Sequence, residues 1–228
     1  MSDLYQIGTS QIYRFSFEFI DSNMYLLLSG NRALAIDPII DETALQLLKD
    51  KQINDILIIP THEHYDHISG INTLRQYFEC TVLASEACAN NLIDPKRNLA
   101  AYSDALFIGK INGEVQKILA ERNASAYQCS ADATFKSYIC LYWEGHKIEI
   151  RETPGHSKGS VCIIIDQNYV FTGDSLIRDT PVITQLPGGN KKDYNNITLP
   201  FLKSLPATTL IFPGHGEPGV VFEFLKPS

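Results

Sequence analysis

The chain has 228 residues, of which 44% are hydrophobic and 20% are charged, so it is long enough and apolar enough to bury a core. These values exclude a chain that is mostly disordered, while the length fits either one large domain or two small ones. The formal net charge is −7 and the lysines and arginines are scattered, which disfavours a nucleic acid as the partner.

The N-terminus and the cysteines bear on where the protein works. No basic start followed by an apolar run is present, and the longest apolar stretches are far too short to span a bilayer. We therefore expect no signal peptide and no membrane partner. The 5 cysteines form no CxxC pair, which fits reduced, core-filling thiols better than a disulfide framework. The protein is predicted to be cytoplasmic.

The first half of the chain alternates strand patterns with helix patterns. Runs rich in β-branched, aromatic and aliphatic residues, bounded by turn-forming residues, predict strands at 12–17, 23–28, 33–37, 55–60 and 81–85. Apolar residues at helical spacing predict helices at 41–51, 68–78 and 86–93. Asp41 is placed as the N-cap of the first helix.

The second half repeats this arrangement after an additional helical piece at about 98–128. Strands are predicted at 147–154, 161–166, 169–174 and 208–216, and a helix at 192–205 carries Pro200 as a kink or break. Strands thus come in two groups, each followed by helices. This pattern predicts an α+β fold with two face-to-face β-sheets and helices outside, a four-layer αββα sandwich in a single domain over 1–228.

The segment from Thr61 to His67 reads THEHYDH, which places three histidines and an aspartate within six residues directly after an apolar strand. An isolated histidine is more often structural, but this density favours a metal site, since zinc takes about four N, O or S ligands. A loop leaving a strand aims alternate side chains the same way, which would send His62 and His64 to one ion. Asp66 and His67 would then face a second ion, about 3.5–4 Å away as in other two-metal sites.

Three further candidate ligands each follow a predicted strand downstream. They are His156 in TPGHSKGS, Asp174 in FTGD and His215 in FPGHG. A glycine stands beside each one, which lets backbone and metal approach closely. His146 falls outside this pattern and is interpreted as a turn residue.

The order HxHxDH…H…D…H at these seven positions resembles the metallo-β-lactamase superfamily. Shorter motifs are similar to its glyoxalase II-like branch: NMYLL, ALAIDP, the DP-x-x-NL of 94–99, ADATF of 131–135, EGHKIEI of 144–150 and LPGGNKKDY of 186–194. The resemblance covers most of the chain and implies the four-layer fold of this superfamily. Its ligand motif is highly specific for the superfamily and weakly specific for the substrate.

The resemblance also implies a role for each ligand. One metal ion would be held by His62, His64 and His156. A second would be held by Asp66, His67 and His215, with Asp174 bridging both. Two zinc ions per chain are expected, with iron or manganese as alternatives.

These ions would lower the pKa of a shared water, and Asp66 would orient the resulting hydroxide and take up its proton as the catalytic residue. Asp37 occupies the family's early strand-end position, where it would support the ligand loop from behind. The family usually has glycine after this Asp-Pro pair, whereas Ile39 follows here. The serines that adjoin the ligands are expected to hydrogen-bond within their loops: Ser157, Ser160 and Ser175.

Two departures from glyoxalase II bear on the substrate. Only 13 residues (228 − 215) follow His215, whereas glyoxalase II carries there a helical extension whose basic residues bind glutathione, so we expect that extension to be missing. The long gap between His67 and His156 holds the helical insertion at about 98–128. Such an insertion is a candidate lid or substrate wall, and a structural cover or a dimer contact is the alternative.

The leading functional hypothesis is hydrolysis of a small-molecule thioester by a compact glyoxalase II-like enzyme. A lactonase or another ester or amide hydrolase, including one like the β-lactamases, is the runner-up. A redox role is the alternative of another class, because persulfide dioxygenases resemble this branch but hold one iron. RNA cleavage is disfavoured by the acidic charge, and a non-catalytic relic by the intact ligand set. A homodimer is compatible with the sequence.

Overall fold

Two β-sheets lie at the centre of the structure, a computed structural model that describes residues 3–7, 10–17, 21–103 and 124–225. The strands of the first sheet lie side by side in chain order: β1 (Asp3–Ile7), β2 (Ser10–Phe17), β3 (Ser22–Ser29), β4 (Arg32–Ile36), β5 (Asp55–Ile59), β6 (Glu79–Ser85) and β7 (Ala133–Phe135). Strands β1 to β4 are antiparallel neighbours, and β4 to β7 are parallel. The carboxyl ends of β4 and β5 therefore lie at the same edge of the sheet.

The second sheet contains β8 (Tyr138–Trp143), β9 (His146–Glu152), β10 (Val161–Ile165), β11 (Tyr169–Gly173), β12 (Leu210–Pro213) and β13 (Gly219–Val220). Their spatial order is β13-β12-β11-β10-β9-β8. Neighbours are antiparallel except β11 and β12, which are parallel. Strands β9, β11 and β12 therefore share one direction and end at the same edge.

Helices cover the outer faces of both sheets. They are α1 (Glu42–Asp50), α2 (Tyr65–Ile68), α3 (Ile71–Tyr77), α4 (Glu86–Leu92), α5 (residues 191–204) and α6 (Val221–Phe224). Helix α5 has three consecutive parts: an α-helical turn at Lys191–Asp193, a π-helical stretch at Tyr194–Thr198 and an α-helix at Leu199–Ser204. The Asp41 side chain accepts a hydrogen bond from the Ala44 N–H at 2.7 Å, so the predicted N-cap of α1 is confirmed. Among the described residues, no helix is long and apolar enough to cross a membrane.

The apolar residues divide into three layers of contact. Alternate residues of β3, such as Leu26 and Leu27, face opposite sides of the first sheet: Leu26 packs with Leu48 of α1, whereas Leu27 packs in the layer between the sheets. Phe171 of β11 fills that middle layer from the second sheet, and Val170 packs outward with the helices α5 and α6. Because strands are buried on both faces, they read as continuous apolar runs. The predicted four-layer αββα sandwich is confirmed.

Several predicted elements differ from the structure. Strands β1, β7, β8 and β13 were not predicted, because they are short or lie at sheet edges. His146 is not a turn residue but the first residue of β9, and only 6% of it is exposed. Pro200 does not break α5; the helix changes from a π-helical stretch to an α-helix there, with Pro200 in the first turn of the latter, where its missing N–H is tolerated.

The predicted insertion at about 98–128 lies mostly outside the described residues. The structure describes its two ends, which contain short 3₁₀ turns at Ala100–Tyr102 and Ala124–Ala126. The apolar positions predicted to form its helix lie within 104–123 and are not described. All five cysteines are unpaired, as predicted, but Cys140 is exposed and so does not fill the core.

Candidate metal centre

The seven side chains predicted as metal ligands meet at one edge of the sandwich. Each follows a strand: His62, His64, Asp66 and His67 follow β5, His156 follows β9, Asp174 follows β11 and His215 follows β12. These strands end at the same edge of their sheets, so the loops after them converge. The sequence pattern could bring these seven residues together because side chains on strand-end loops need only a common edge to meet.

The first group of donors consists of His62, His64 and His156, whose ligand atoms all lie within 4.8 Å of one another. All three rings are buried, and His156 Nε2 lies 3.0 Å from His64 Nδ1. Burial and the neighbouring imidazoles lower the pKa of His62 well below its usual value and that of His64 to about 3. Both imidazoles are therefore neutral, the form in which histidine binds a metal ion.

The second group consists of Asp66, His67 and His215. Asp66 Oδ2 lies 3.3 Å from the Nε2 atoms of both histidines, which are themselves 3.3 Å apart. Asp174 lies between the two groups, with Oδ2 3.4 Å from His156 Nε2 and 3.5 Å from His215 Nε2. Its Oδ1 lies 3.5 Å from His67 Nε2. One carboxylate thus contacts donors of both groups.

The charges in the second group are strongly coupled. Burial by itself would raise the pKa of the Asp66 and Asp174 carboxyls, but the adjacent histidines hold both well below their usual range. Burial would lower the pKa of His67 and His215, but the two carboxylates raise it, to about 10 for His215. Without a cation, these histidines therefore keep protons that balance the carboxylates. A bound cation must displace those protons, since a ligand nitrogen needs its lone pair.

This arrangement fits divalent metal ions. His62 Nε2 and Asp174 Oδ1 are buried and have no hydrogen-bond partner among the described residues. An unpaired buried polar atom costs roughly 1–3 kcal/mol, which a bound cation would offset. Four ligand atoms about 2.0–2.1 Å from a tetrahedral ion lie roughly 3.3 Å from one another. The donor separations of 3.0–3.5 Å agree with that spacing.

Hydrogen bonds behind His62, His67 and His156 fix which nitrogen of these three rings faces the centre. Thr61 Oγ1 donates to Asp37 Oδ2 at 2.7 Å, so its lone pair accepts from His62 Nδ1 at 3.1 Å. His67 Nδ1 lies 3.2 Å from the same Asp37 oxygen, and His156 Nδ1 lies 2.9 Å from the Ile183 carbonyl oxygen. With Nδ1–H donating outward, the Nε2 lone pair of each ring faces the ligand cluster.

Asp37 lies behind the donors rather than among them. Its carboxylate is also within reach of His62 and His67 in a geometry that could hold an ion. Both of its oxygens are already engaged, however, because Oδ1 accepts from the Thr61 N–H at 2.6 Å and Oδ2 accepts from the Thr61 hydroxyl. We therefore assign Asp37 to orienting the histidines. Ile39, which replaces the family's glycine, is buried in the core between the first sheet and its helices and leaves these hydrogen bonds in place.

The glycines beside the candidate ligands allow neighbouring side chains to pack closely, while the predicted close approach of a metal ion stays a prediction. A Cβ atom would collide with a neighbouring side chain at each of them: at Gly155 with Tyr194, at Gly173 with Thr61 and at Gly214 with Asp174. Gly173 also has a φ of +48°, in the left-handed region that favours glycine. Alanine at Gly173 would therefore displace Thr61 and, through it, His62.

A set of polar side chains that the sequence analysis missed holds the His215 loop. Asn23 Nδ2 donates to the carbonyl oxygens of Pro213 at 3.1 Å and Gly216 at 2.8 Å. The Tyr25 hydroxyl donates to the Pro213 carbonyl at 2.7 Å, and Arg14 Nη1 donates to that of Gly216 at 2.9 Å. Asn23 and Tyr25 are two residues apart on β3 and so share one face. The sequence did contain a signal for Asn23 and Tyr25: two polar side chains at alternate positions of an otherwise apolar strand.

A second missed residue is Glu63, which is fully buried between two ligand histidines along the chain. Its carboxylate accepts from Asn91 Nδ2 at 2.7 Å and from the Ser157 hydroxyl at 2.9 Å, and burial raises its pKa. Glu63 thereby connects the loop after β5 with the loop that carries His156. Ser157 and Ser160 hydrogen-bond within their loop as predicted, whereas Ser175 Oγ has no partner among the described residues.

The comparison with protein families agrees with the fold. The family model of the metallo-β-lactamase superfamily matches residues 18–215. The chain belongs to this superfamily, whose members bind divalent metals.

Individual relatives are more distant. A probable metallo-hydrolase of Methanocaldococcus jannaschii is 30% identical over 215 residues, which cover 90% of this chain and 93% of that protein. A hydroxyacylglutathione hydrolase of Pelagibacter ubique is 26% identical over 198 residues, 86% of this chain and 66% of that protein. Among solved structures, the BLEG-1 B3 metallo-β-lactamase has a TM-score of 0.70 and 25% identity, over 98% of this chain and 95% of that chain.

Proposed function

We propose that the protein is a hydrolase that uses two metal ions per chain and cleaves a thioester. The observation that carries the proposal is the position of Asp174, which lies 3.4–3.5 Å from donors of both ligand groups. A carboxylate shared by two adjacent cation sites is suited to binuclear hydrolysis. The relative described as a probable metallo-hydrolase supports the same reaction class.

In this proposal, some of the clustered side chains bind metal ions and others orient groups or transfer protons. His62, His64 and His156 would hold one ion, and Asp66, His67 and His215 the other, with Asp174 shared. When bound, the two cations supply the positive charge that ionises a water near neutral pH and polarises the scissile carbonyl. Asp66 Oδ2 lies 3.3 Å from the Nε2 atoms of His67 and His215, so this carboxylate faces the centre, where it would orient the attacking water and accept its proton. Asp37 keeps His67 turned towards the centre.

The thioester is supported by the likeness to the hydroxyacylglutathione hydrolase. The likeness to a B3 metallo-β-lactamase makes a lactam, lactone or ester the second candidate. Because these reactions share one type of centre, turnover must separate them. We would assay S-D-lactoylglutathione, acyl-CoA thioesters, homoserine lactones and a chromogenic β-lactam with the metal-loaded protein. Thioesters should give the highest kcat/KM; a preference for a lactone or lactam would overturn the thioester assignment and leave hydrolysis standing.

Metal content tests the binuclear centre separately from the substrate. Protein purified without chelator or added metal should contain about two ions per chain, with zinc predominant, when measured by inductively coupled plasma mass spectrometry. One iron per chain, together with oxygen consumption in the presence of a persulfide, would instead support the redox alternative. A content near zero would contradict both.

A further inference from the structure

A second cluster of chemically capable side chains lies at the opposite end of the sandwich from the metal centre. His146 begins β9, while the metal centre lies beyond the other end of that strand. The strand runs for 7 residues, and a rise of roughly 3.3 Å per residue separates the two places by about 20 Å. The cluster therefore has no contact with the metal ligands.

Three side chains in this cluster form a continuous hydrogen-bond chain. His146 Nδ1 lies 2.6 Å from Asp166 Oδ2, and His146 Nε2 lies 2.9 Å from the Ser10 hydroxyl oxygen. The carboxylate accepts from Nδ1–H, which leaves the Nε2 lone pair to accept from Ser10. A nucleophile, a base and a group that orients the base are thus connected in the order that serine hydrolases use.

The cluster is assembled from three separate parts of the chain. Ser10 lies where β1 meets β2, His146 where β8 meets β9, and Asp166 where β10 meets β11. Asp166 Oδ1 accepts from the Lys147 N–H at 2.9 Å, which holds the carboxylate against the imidazole. His146 is 6% exposed, so its ring is fixed within the sandwich.

Ser10 also lines a surface cavity of about 410 Å³ together with Tyr13, Leu28 and Lys51. Tyr13 and Leu28 pack on the helix side of the first sheet, and Lys51 contributes a positive charge to the cavity there. Ser10, which is half-buried, lies at the edge of this cavity.

We propose that Ser10, His146 and Asp166 form a second, metal-independent site that transfers acyl groups from small activated esters. Ser10 Oγ attacks the carbonyl carbon while His146 Nε2 takes the hydroxyl proton, and that proton passes to the departing alkoxide. Water then attacks the acyl-serine, His146 takes its proton, and the carboxylic acid leaves as the proton returns to Ser10 Oγ. Asp166 stays ionised and stabilises the imidazolium throughout.

The test is covalent labelling of the full chain with a fluorophosphonate probe, in metal-loaded and chelator-treated samples, read by peptide mass spectrometry. We expect one adduct, on Ser10, at similar rates in both samples. His146→Gln should slow its formation at least tenfold, and Asp166→Asn should slow it as well. Ser204→Ala, which removes an exposed serine elsewhere, is the matched control and should label at the wild-type rate.

A second set of measurements distinguishes loss of the proposed site from loss of folding. Circular dichroism and thermal unfolding of His146→Gln and Ser10→Ala would show whether each variant keeps its structure. Release of p-nitrophenol from p-nitrophenyl acetate by chelator-treated protein should show a burst that Ser10→Ala abolishes. If folded wild-type protein gives no Ser10 adduct, or if folded His146→Gln labels as fast as wild type, the chain of hydrogen bonds is a structural clamp between the sheets and the proposal is wrong.

Discussion

Asp174 is the residue whose removal should have the widest effect on the centre. It contacts donors of both ligand groups, and its Oδ1 has no other partner among the described residues. We predict that Asp174→Ala lowers the metal content from about two ions to less than one and reduces kcat/KM by at least a thousandfold, roughly the loss of 4 kcal/mol of transition-state stabilisation. Metal analysis and the thioester assay would measure both effects.

The control for this change is another aspartate replaced in the same way. Asp50 is exposed at the end of α1 and contacts only the Gln46 side chain among the bonds described, at 2.7 Å. Asp50→Ala should keep two ions and full activity. If Asp174→Ala retained both ions with normal affinity, the bridging role would be wrong, although the remaining ligands could still hold separate ions.

Asp37 should act on metal affinity without binding metal itself. Asp37→Asn keeps the shape of the side chain but removes the charge that faces His67 and the Thr61 hydroxyl. Loss of such an outer hydrogen bond typically costs about 10–100-fold in metal affinity. Competition with a chelating dye should show this weakening, and excess metal should restore most of the activity. Loss of activity that saturating metal does not restore would show that Asp37 takes part in the reaction directly.

The sequence analysis selected seven residues that the structure brings together, because their types and spacing are unusual on strand-end loops. It could not find Glu63 or Arg14, since a single charged residue in a chain with 45 formal charges (19 + 26) carries no pattern. Their partners, Ser157 and Gly216, are 94 and 202 positions away. Such contacts depend on how the two sheets pack, which local spacing does not encode.

At the scale of elements, the two ends of the insertion form hydrogen bonds with helix α2, which carries two of the candidate ligands. Asn98 accepts from the Tyr65 N–H at 2.8 Å through its backbone and donates through Nδ2 to the Leu92 and Tyr127 carbonyl oxygens. The Tyr127 hydroxyl donates to the Ile68 carbonyl oxygen at 2.7 Å. These contacts fix α2, which carries Asp66 and His67. A change to the insertion should therefore leave these two ends intact.

Replacing residues 104–123 with a short Gly-Ser loop tests the predicted role of the insertion in substrate choice. Because Asn98 and Tyr127 remain, we predict unchanged metal content and a changed ratio of kcat/KM between thioester and lactone substrates. The substrate panel on wild type and variant would measure this ratio. A folded, metal-loaded variant with an unchanged profile would mean that the segment is structural.

Elements buried on both faces were predictable, and those at the edges were not. Strand β5 reads DILII and β10 reads VCIII, runs that hydrophobicity alone identifies. Strand β8 has Tyr138 and Tyr142 exposed, and β7 has three residues, so neither has a distinctive pattern. Strand β8 pairs with β9, and β7 pairs with β6. Their positions therefore depend on neighbouring strands and not on their own sequences.

For the whole molecule, the metal centre links folding to pH because its ligands come from both sheets. In the metal-free protein the Asp66 and Asp174 carboxylates raise the pKa of His215 from 6.5 to about 10. A raised histidine pKa stabilises the fold fully below the unfolded value of about 6.5, and this contribution is lost as the pH rises through about 10. Metal-free protein should therefore lose stability between pH 7 and 10, by at most about 1.4 kcal/mol per pH unit for this group.

Metal-loaded protein should not show that loss, because a nitrogen bound to a cation carries no proton in the folded state. We predict that the difference in Tm between metal-loaded and chelated protein grows from pH 6.5 to pH 9. Thermal unfolding at several pH values in both states would measure it, and calorimetry in buffers of different ionisation enthalpy should detect proton release on metal binding. The variant His215→Gln should flatten the pH dependence of the metal-free form. A Tm difference that stays constant or shrinks with rising pH would contradict the coupling between His215 and the two carboxylates.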